Sequence, residues 1–317
     1  MQANVNKRHI NRAGGSSSYS KKDLLFYLLL LLLPLTQLAI FYFGVNFQSF
    51  FFAFQSYDAF TGSFHWDAAT NFHRFFGGDG YEGMITTPWF WKMIGNSCLV
   101  YLCTSLAGTV LATFFSYYIY KKRVASTFFK IILLLPSILP SILLIIVFKI
   151  FVGQGIPAFQ DALTGESMGN IWAESGNRRF WMITLFTVWI SFGGQVLVYT
   201  GAMDTVNEEV LEAGKIDGAS PAREFFSLIL PEIIPTVSTF LVTGLANIFT
   251  AQNNLFAFTE GGASPSEYTV GYYLYMLVYA DSSKSNYPFA SFMGLIFTIV
   301  IVPVLLLVIK LTSKVNE

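Results

Sequence analysis

The stretch Glu208–Pro235 reads EEVLEAGKIDGASPAREFFSLILPEIIP and lies between two long apolar runs. A greasy chain needs only short polar turns between its hydrophobic segments, yet these residues spell two small helices and a designed turn. Asn207 is a candidate N-cap for a helix with Glu208 and Glu209 in its first turn, where carboxylates meet the positive end of the helix dipole. Gly214 weakens the last turn of that helix, and Asp217-Gly218 predicts a bend. Ser220-Pro221 then restarts a helix, with serine as cap and proline at the first helical position. Phe225, Phe226, Leu228, Ile229 and Leu230 give this second helix an apolar side before Pro231 marks a break. Asp204, Glu208, Glu209, Glu212, Asp217, Glu224 and Glu232 outnumber Lys215 and Arg223, so the element is acidic as well as structured. Without a partner it reads as a solvated interfacial hairpin.

The rest of the chain places this element beside a membrane. Of 317 residues, 54% are hydrophobic and 12% charged, and the mean hydropathy is +0.54, too apolar for a soluble protein of this length. A formal net charge of zero gives no basis for binding nucleic acid. Cys98 and Cys103 sit roughly 140° apart around a helix, too far round to pair with each other and too few to hold zinc, so both read as packing residues. His9, His65 and His73 have no metal-ligand spacing, and no metal site is expected.

Six segments are long enough to cross the hydrocarbon as helices, approximately residues 24–45, 96–120, 128–151, 180–203, 232–255 and 288–311. The first follows Lys21-Lys22 and lacks a cleavage site, so it reads as a retained span. Residues 1–22 are expected to form a disordered tail, and residues 23–317 the six-helix domain. Thirteen Lys and Arg residues fall on the side of the termini and of the Glu208–Pro235 element, against Arg74, Lys92, Arg178, Arg179 and Lys284 opposite, with Lys149 snorkelling from the end of the third span. The positive-inside rule thus predicts both termini, and the polar element, in the cytoplasm. Longer aromatic-rich loops, 46–94, 152–179 and 256–287, are expected outside, where Trp66, Trp89, Trp91, Trp172 and Trp181 suit an interfacial belt.

No ionisable residue lies at the centre of a predicted span, since Lys149 and Glu232 sit near ends. This argues against an ion-coupled carrier, which needs a charge gained or lost at mid-membrane. No Gly-rich loop ending in Gly-Lys-Ser/Thr occurs either, and the GGDG cluster at Gly77–Gly80 reads as a turn. No catalytic group gathers at one membrane depth, so an enzyme is disfavoured.

The spacing Glu212-Ala213, Asp217-Gly218-Ala219, Phe225, Leu228, Leu230-Pro231 and Pro235 resembles the EAA signature of ABC-importer permeases, in the form EAAxxDGAxxxxxFxxIxLPxxxP typical of carbohydrate permeases. Gly214 stands where that signature usually has Ala, and Leu228 replaces Ile. The segment TEGGASPSEYT, Thr259–Thr269, is similar to the family's TxGGPxxxT loop with the proline delayed by two residues. Asn71-Phe72, Asn96 and the Pro136 and Pro140 pair are further echoes. Together these cover most of residues 70–311, and the chain resembles the first permease of multiple-sugar or maltose-type systems.

The resemblance implies an all-α membrane protein of the type I ABC importer permease fold, multi-pass in a bacterial plasma (inner) membrane with N-in/C-in topology. It implies a second permease subunit, two ATPase subunits holding ATP and Mg, an extracellular or periplasmic solute-binding protein and a sugar cargo, with no cofactor in this chain. The 204–231 loop would then be the coupling element, docking in a cleft of an ATPase subunit. Glu212, Ala213, Gly214, Asp217, Gly218 and Ala219 are its expected contact residues, small Ala and Gly allowing close approach and Glu212 offering a charge. For the substrate path, Thr187, Ser191, Gly194 and Gln195 fall near one face of the fourth span, and Gly244, Asn247, Ala251 and Asn254 near one face of the fifth. Uncharged polar groups suit sugar hydroxyls. Close helix packing through small residues explains the same pattern. The alternative function is a self-contained carrier or channel for a small polar solute, which an intramembrane charge would have favoured.

Overall fold

The computed structural model describes residues 21–166, 169–172, 176–280 and 284–315. The expected disordered tail lies outside them except for Lys21 and Lys22, which are already helical. The chain divides into two units, Met1–Phe51 and Phe52–Glu317. Among its described residues the first holds helix α1, which starts at Lys21; its membrane-length part, Leu24–Phe52, continues past the predicted end at residue 45 and carries a wide π-helical segment at Leu38–Val45.

The second unit opens with an antiparallel hairpin, β1 (Gln55–Asp58) and β2 (Ser63–Trp66), in which Gln55 pairs with Trp66 and Tyr57 with Phe64. Helix α2 (Ala68–Phe76) follows, capped by Asp67. The remaining helices are α3 (Pro88–Tyr120), α4 (Ser126–Ile138), α5 (Ser141–Thr164), α6 (Asn177–Met203), α7 (Glu208–Ile216), α8 (Pro221–Ala246), α9 (Leu255–Thr259), α10 (Val270–Tyr279) and α11 (Tyr287–Val315). Among the described residues six helices, α1, α3, α5, α6, α8 and α11, are long and apolar enough to cross a membrane.

Three predicted boundaries are corrected. The third span is not one helix over 128–151: Leu139 is extended and Pro140 begins a new helix, so α4 ends at Ile138 and α5 runs to Thr164. Proline disfavours a helical predecessor, so the break falls at Leu139-Pro140, whereas Pro136 is accommodated inside α4. Lys149 therefore lies well inside α5, where its ammonium meets Glu260 at 3.4 Å. The fifth span does not reach residue 255. It stops at Ala246, and Asn253 and Asn254 both adopt left-handed backbone conformations, which asparagine tolerates better than most residues. The expected loop 256–287 instead packs into the bundle: Leu255, Phe258 and Tyr272 are buried with Leu144, Ile145, Ile183 and Phe186.

The core forms where helices carry small or slim residues at helical spacing. Helix α3 lies along α6, burying Gly108, Ala112 and Ser116, and the Ser116 hydroxyl donates to the Val196 carbonyl at 3.0 Å. Such contacts suit a bilayer, where packing and interhelical hydrogen bonds replace the hydrophobic drive. Around the start of α3, Phe75 of α2 is buried with Phe90, Met93, Val270, Phe289 and Met293, so α2 caps that end of the bundle.

Candidate functional site

The Glu208–Pro235 element is built as its sequence dictates at both caps. The Asn207 side chain accepts from the Glu209 amide at 2.9 Å, and the Ser220 hydroxyl accepts from the Arg223 amide at 3.3 Å. Gly218 turns the chain with φ of +73°, a conformation open to glycine. Leu211 faces inward among Met203, Val206, Phe225, Ile229 and Ile233. Glu212, Ala213, Asp217 and Gly218 are exposed, whereas Gly214 and Ala219 are half-buried between the two helices.

Gly214 sits there for a local reason. A Cβ on it would come within 2.6 Å of Leu228 Cδ1. The two positions that depart from the EAA signature thus face each other, and the longer leucine fills space that alanine would occupy. No break occurs at Pro231. A π-helical segment at Phe225–Ile229 widens the backbone before the proline, accommodating its ring and missing donor, so the second small helix is the beginning of α8 itself.

This element is fastened to the end of α3. Lys121 Nζ donates to Glu224 Oε1 at 2.7 Å, with the Glu224 side chain 8% exposed. The Tyr117 hydroxyl donates to the Pro221 carbonyl at 3.0 Å, and its ring lies 4.8 Å from that of Phe225. Between α7 and the α3 terminus opens a cleft of about 400 Å³ lined by Tyr120, Lys121, Lys122, Asp204, Val206, Glu208, Leu211, Glu212 and Lys215. Its charges of both signs are suited to contact with another charged surface.

The expected substrate-path residues are only partly assembled. The Thr187 hydroxyl donates to the Ile183 carbonyl at 2.8 Å and lies 3.3 Å from the Asn253 carbonyl, linking α6 to the break after α8. Ser191 donates to Val188 at 3.0 Å, Gly194 borders open space, and Gln195 Oε1 is buried with no partner. The expected face over Gly244, Asn247, Ala251 and Asn254 does not exist, because the helix ends before three of them. Gly244 itself packs against Tyr101 and Ser105. Asn247 instead closes α8, its amide donating to the Thr243 carbonyl at 2.9 Å. Ala251 abuts Gly271 and Asn254 precedes α9. The cavity beside Thr187 and Asn253 is about 10 Å³, room for a single water rather than a sugar.

The Thr259–Thr269 segment is held by contacts that the sequence reading did not foresee. Arg179 Nε donates to Glu267 Oε1 at 2.7 Å, and its Nη2 donates to Glu267 Oε2 and to the Gly262 carbonyl. Glu267 is fully buried and also accepts from the amides of Ser264 and Gly176. Burial would raise its pKa, but the hydrogen bonds from Arg179 and the two amides outweigh that and hold it below the ordinary glutamate value. Asn96 donates to the carbonyls of Ser266 and Tyr268, both at 2.9 Å, and Ser97 accepts from the Val270 amide at 2.8 Å. Only the Ser264-x-x-Glu267 spacing hinted at this clamp. Arg179 carried no distinguishing signal. Among the described residues no group of His, Cys, Asp and Glu could hold a metal ion.

A helical membrane bundle with broken spans and a charged helix-turn-helix presented at one end is the architecture of a transport permease. The chain belongs to the family of binding-protein-dependent transport system inner membrane components, which it matches over residues 105–315. It is 27% identical over 284 residues to the multiple sugar-binding transport system permease protein MsmF of Streptococcus mutans serotype c, covering 89% of this chain and 93% of that one. It is 24% identical to the maltose/maltodextrin transport system permease protein MalF of Salmonella typhimurium, over 73% of this chain and 46% of that one. Its fold is similar, with a TM-score of 0.71 and 17% identity, to a chain of a bacterial ABC transporter involved in import of the acidic polysaccharide alginate, covering 94% of this chain and 98% of that one. The protein is therefore a multi-pass permease subunit of a binding-protein-dependent ABC importer in the bacterial inner membrane.

Proposed function

We propose that this permease moves a sugar or oligosaccharide into the cytoplasm by alternating access, powered by two ATPase subunits and completed by a second permease and an external solute-binding protein. The observation that carries this reading is the exposed Glu208–Gly218 element fastened through Lys121 and Tyr117 to a membrane-spanning helix. ATP and Mg belong to the partner ATPases in this reading. Both chain termini and the α7 element face the cytoplasm, as the distribution of Lys and Arg indicates. An ATPase pair that closes on ATP shifts the inward and outward populations only through contacts that differ between the two states. Glu212, Ala213, Asp217 and Gly218 are exposed and supply such contacts, while Gly214 and Ala219 set the spacing of the two helices beneath them.

Sugar as cargo is supported by the names of the relatives and by the uncharged polar groups near the α8 break, Thr187, Asn247, Asn253 and Asn254. The one-water cavity in this chain fits a path completed by the second permease. The experiment is co-purification with the ATPase subunits, followed by ATPase assays with sugar-loaded solute-binding proteins. Stimulation by a sugar-loaded binding protein supports the reading. Uptake by the purified chain alone, without an ATPase, would replace it with a self-contained carrier.

A further inference from the structure

The β1–β2 hairpin holds an aromatic side chain out in water. Phe60 at its tip is 101% exposed. The tip around it is pinned: Asp58 Oδ1 accepts from the Phe60 amide at 2.8 Å, Asp58 Oδ2 accepts from the Thr61 hydroxyl at 2.9 Å, and the Gly62 amide donates to the Asp58 carbonyl at 2.9 Å. The base is equally fixed. Asn71 donates to the carbonyls of Ala53 and Gln55 at 3.1 and 2.7 Å, and α2 is anchored by Phe75 against Phe90 and by Arg74 over the Phe289 ring at 4.1 Å. A large apolar side chain on a rigid support is the physical form of an interface anchor, because it binds without first losing loop freedom.

Position and charge select the occupant. The hairpin and α2 precede α3, whereas Lys121 and Tyr117 at the other end of that 33-residue helix join α8, so about 50 Å separates the hairpin from the coupling element. Residues 52–87 carry Asp58, Asp67, Asp79 and Glu82 against a single Arg or Lys, Arg74, which is engaged by Phe289 and Asn286. The Phe60 amide and Thr61 hydroxyl keep the Asp58 carboxyl below its usual range, hence charged. An acidic tip is repelled by anionic lipid and complements a basic surface. We propose that this hairpin docks the external solute-binding protein, Phe60 entering an apolar pocket rimmed by a Lys or Arg side chain that meets Asp58.

The inference rests on the importer reading above and is tested on the assembled complex in nanodiscs of phosphatidylethanolamine and phosphatidylglycerol. Wild-type ATPase activity is titrated with the sugar-loaded binding protein that stimulates it. Phe60→Ala is expected to raise the half-maximal binding-protein concentration about tenfold, with the rate at saturation within about twofold of wild type. Phe60→Trp should stay near wild type, and Asp58→Asn should fall between and flatten the salt dependence. An unchanged midpoint for Phe60→Ala overturns the proposal. A midpoint shift that disappears in nanodiscs without phosphatidylglycerol overturns it in favour of a lipid anchor. Failure of every binding protein to stimulate the wild-type complex defeats the importer reading itself, and does so before any variant is made.

Discussion

Gly214 and Leu228 show how a pair of substitutions preserves a surface. With Leu228 Cδ1 lying 2.6 Å from where a Gly214 Cβ would stand, Gly214→Ala alone forces the leucine to a new rotamer or the helices apart, at about 1–3 kcal/mol for overpacking. Leu228→Ile withdraws the δ carbon and leaves a small gap. The double variant is expected to recover most of the thermal stability lost by Gly214→Ala, a non-additivity measurable by thermal unfolding in detergent. Recovery absent from the double variant would show that the two side chains are not coupled. Glu267 allows a second prediction at this scale. Its folded pKa is depressed, so its contribution is fully present above the ordinary glutamate value of 4.5 and is lost as pH falls through the lower, folded value. Glu267→Gln leaves the partly buried Arg179 without its charged partner, a loss of up to about 3 kcal/mol, the low end of the range for breaking a fully buried pair. The difference in melting temperature between wild type and variant should be largest near neutral pH and shrink below pH 4.5, as thermal scans across pH would reveal. Sequence alone could not find this pair: residues 179 and 267 meet only because α6 and the Thr259–Thr269 segment are brought together by the fold.

Among the elements, α7 and the start of α8 behave as one fixture. Met203, Val206, Leu211, Phe225, Ile229 and Ile233 share one buried cluster, and Lys121 with Glu224 ties that cluster to the end of α3. Motion imposed on the exposed face of α7 therefore reaches both α8 and α3. Glu212→Lys changes the exposed contact without touching the cluster, and is expected to abolish most sugar uptake while the chain still expresses and assembles. Unchanged uptake at normal expression would remove Glu212 from the contact. Lys121→Met leaves the buried Glu224 carboxylate unpaired, so it should weaken folding as well as uptake, and Lys121→Glu with Glu224→Lys should restore both in part; measured uptake and melting temperature separate the two variants. Both caps and the turn of this element were legible because they follow from local chemistry at Asn207, Gly218 and Ser220. The π-helical segment before Pro231 and the end of α8 at Ala246 were not. The polar run Gln252-Asn253-Asn254 signals an interruption, but not that the helix already ends at Ala246, where backbone packing of Thr250 and Ala251 against Gly271 makes a broken helix preferable to a continuous one.

At the scale of the whole molecule, the number of membrane helices was legible and the transport path was not, and one cause accounts for both. Span number depends on apolar length, which each segment carries by itself, whereas a path depends on surfaces that different segments turn toward one another. The α8 break supports this distinction: irregular backbone inside a bilayer persists only where protein buries it or water reaches it. Here Thr187 reaches the Asn253 carbonyl beside a cavity with room for one water, and Gly271 closes on Ala251, while Gln195 Oε1, about two turns further along α6, is buried without a partner. In this state the subunit's Thr187 and Asn253 line a space too small for cargo. The purified chain in liposomes is therefore expected to show no uptake of radiolabelled sugar above protein-free vesicles, with or without ATP. Reconstitution with the second permease, the ATPases, Mg-ATP and loaded binding protein should give uptake, and Gln195→Leu should lower it several-fold while leaving assembly intact. Uptake by the chain alone would mean that its own helices open a complete path, and Gln195→Leu without effect would mean that the orphaned amide faces packing rather than cargo.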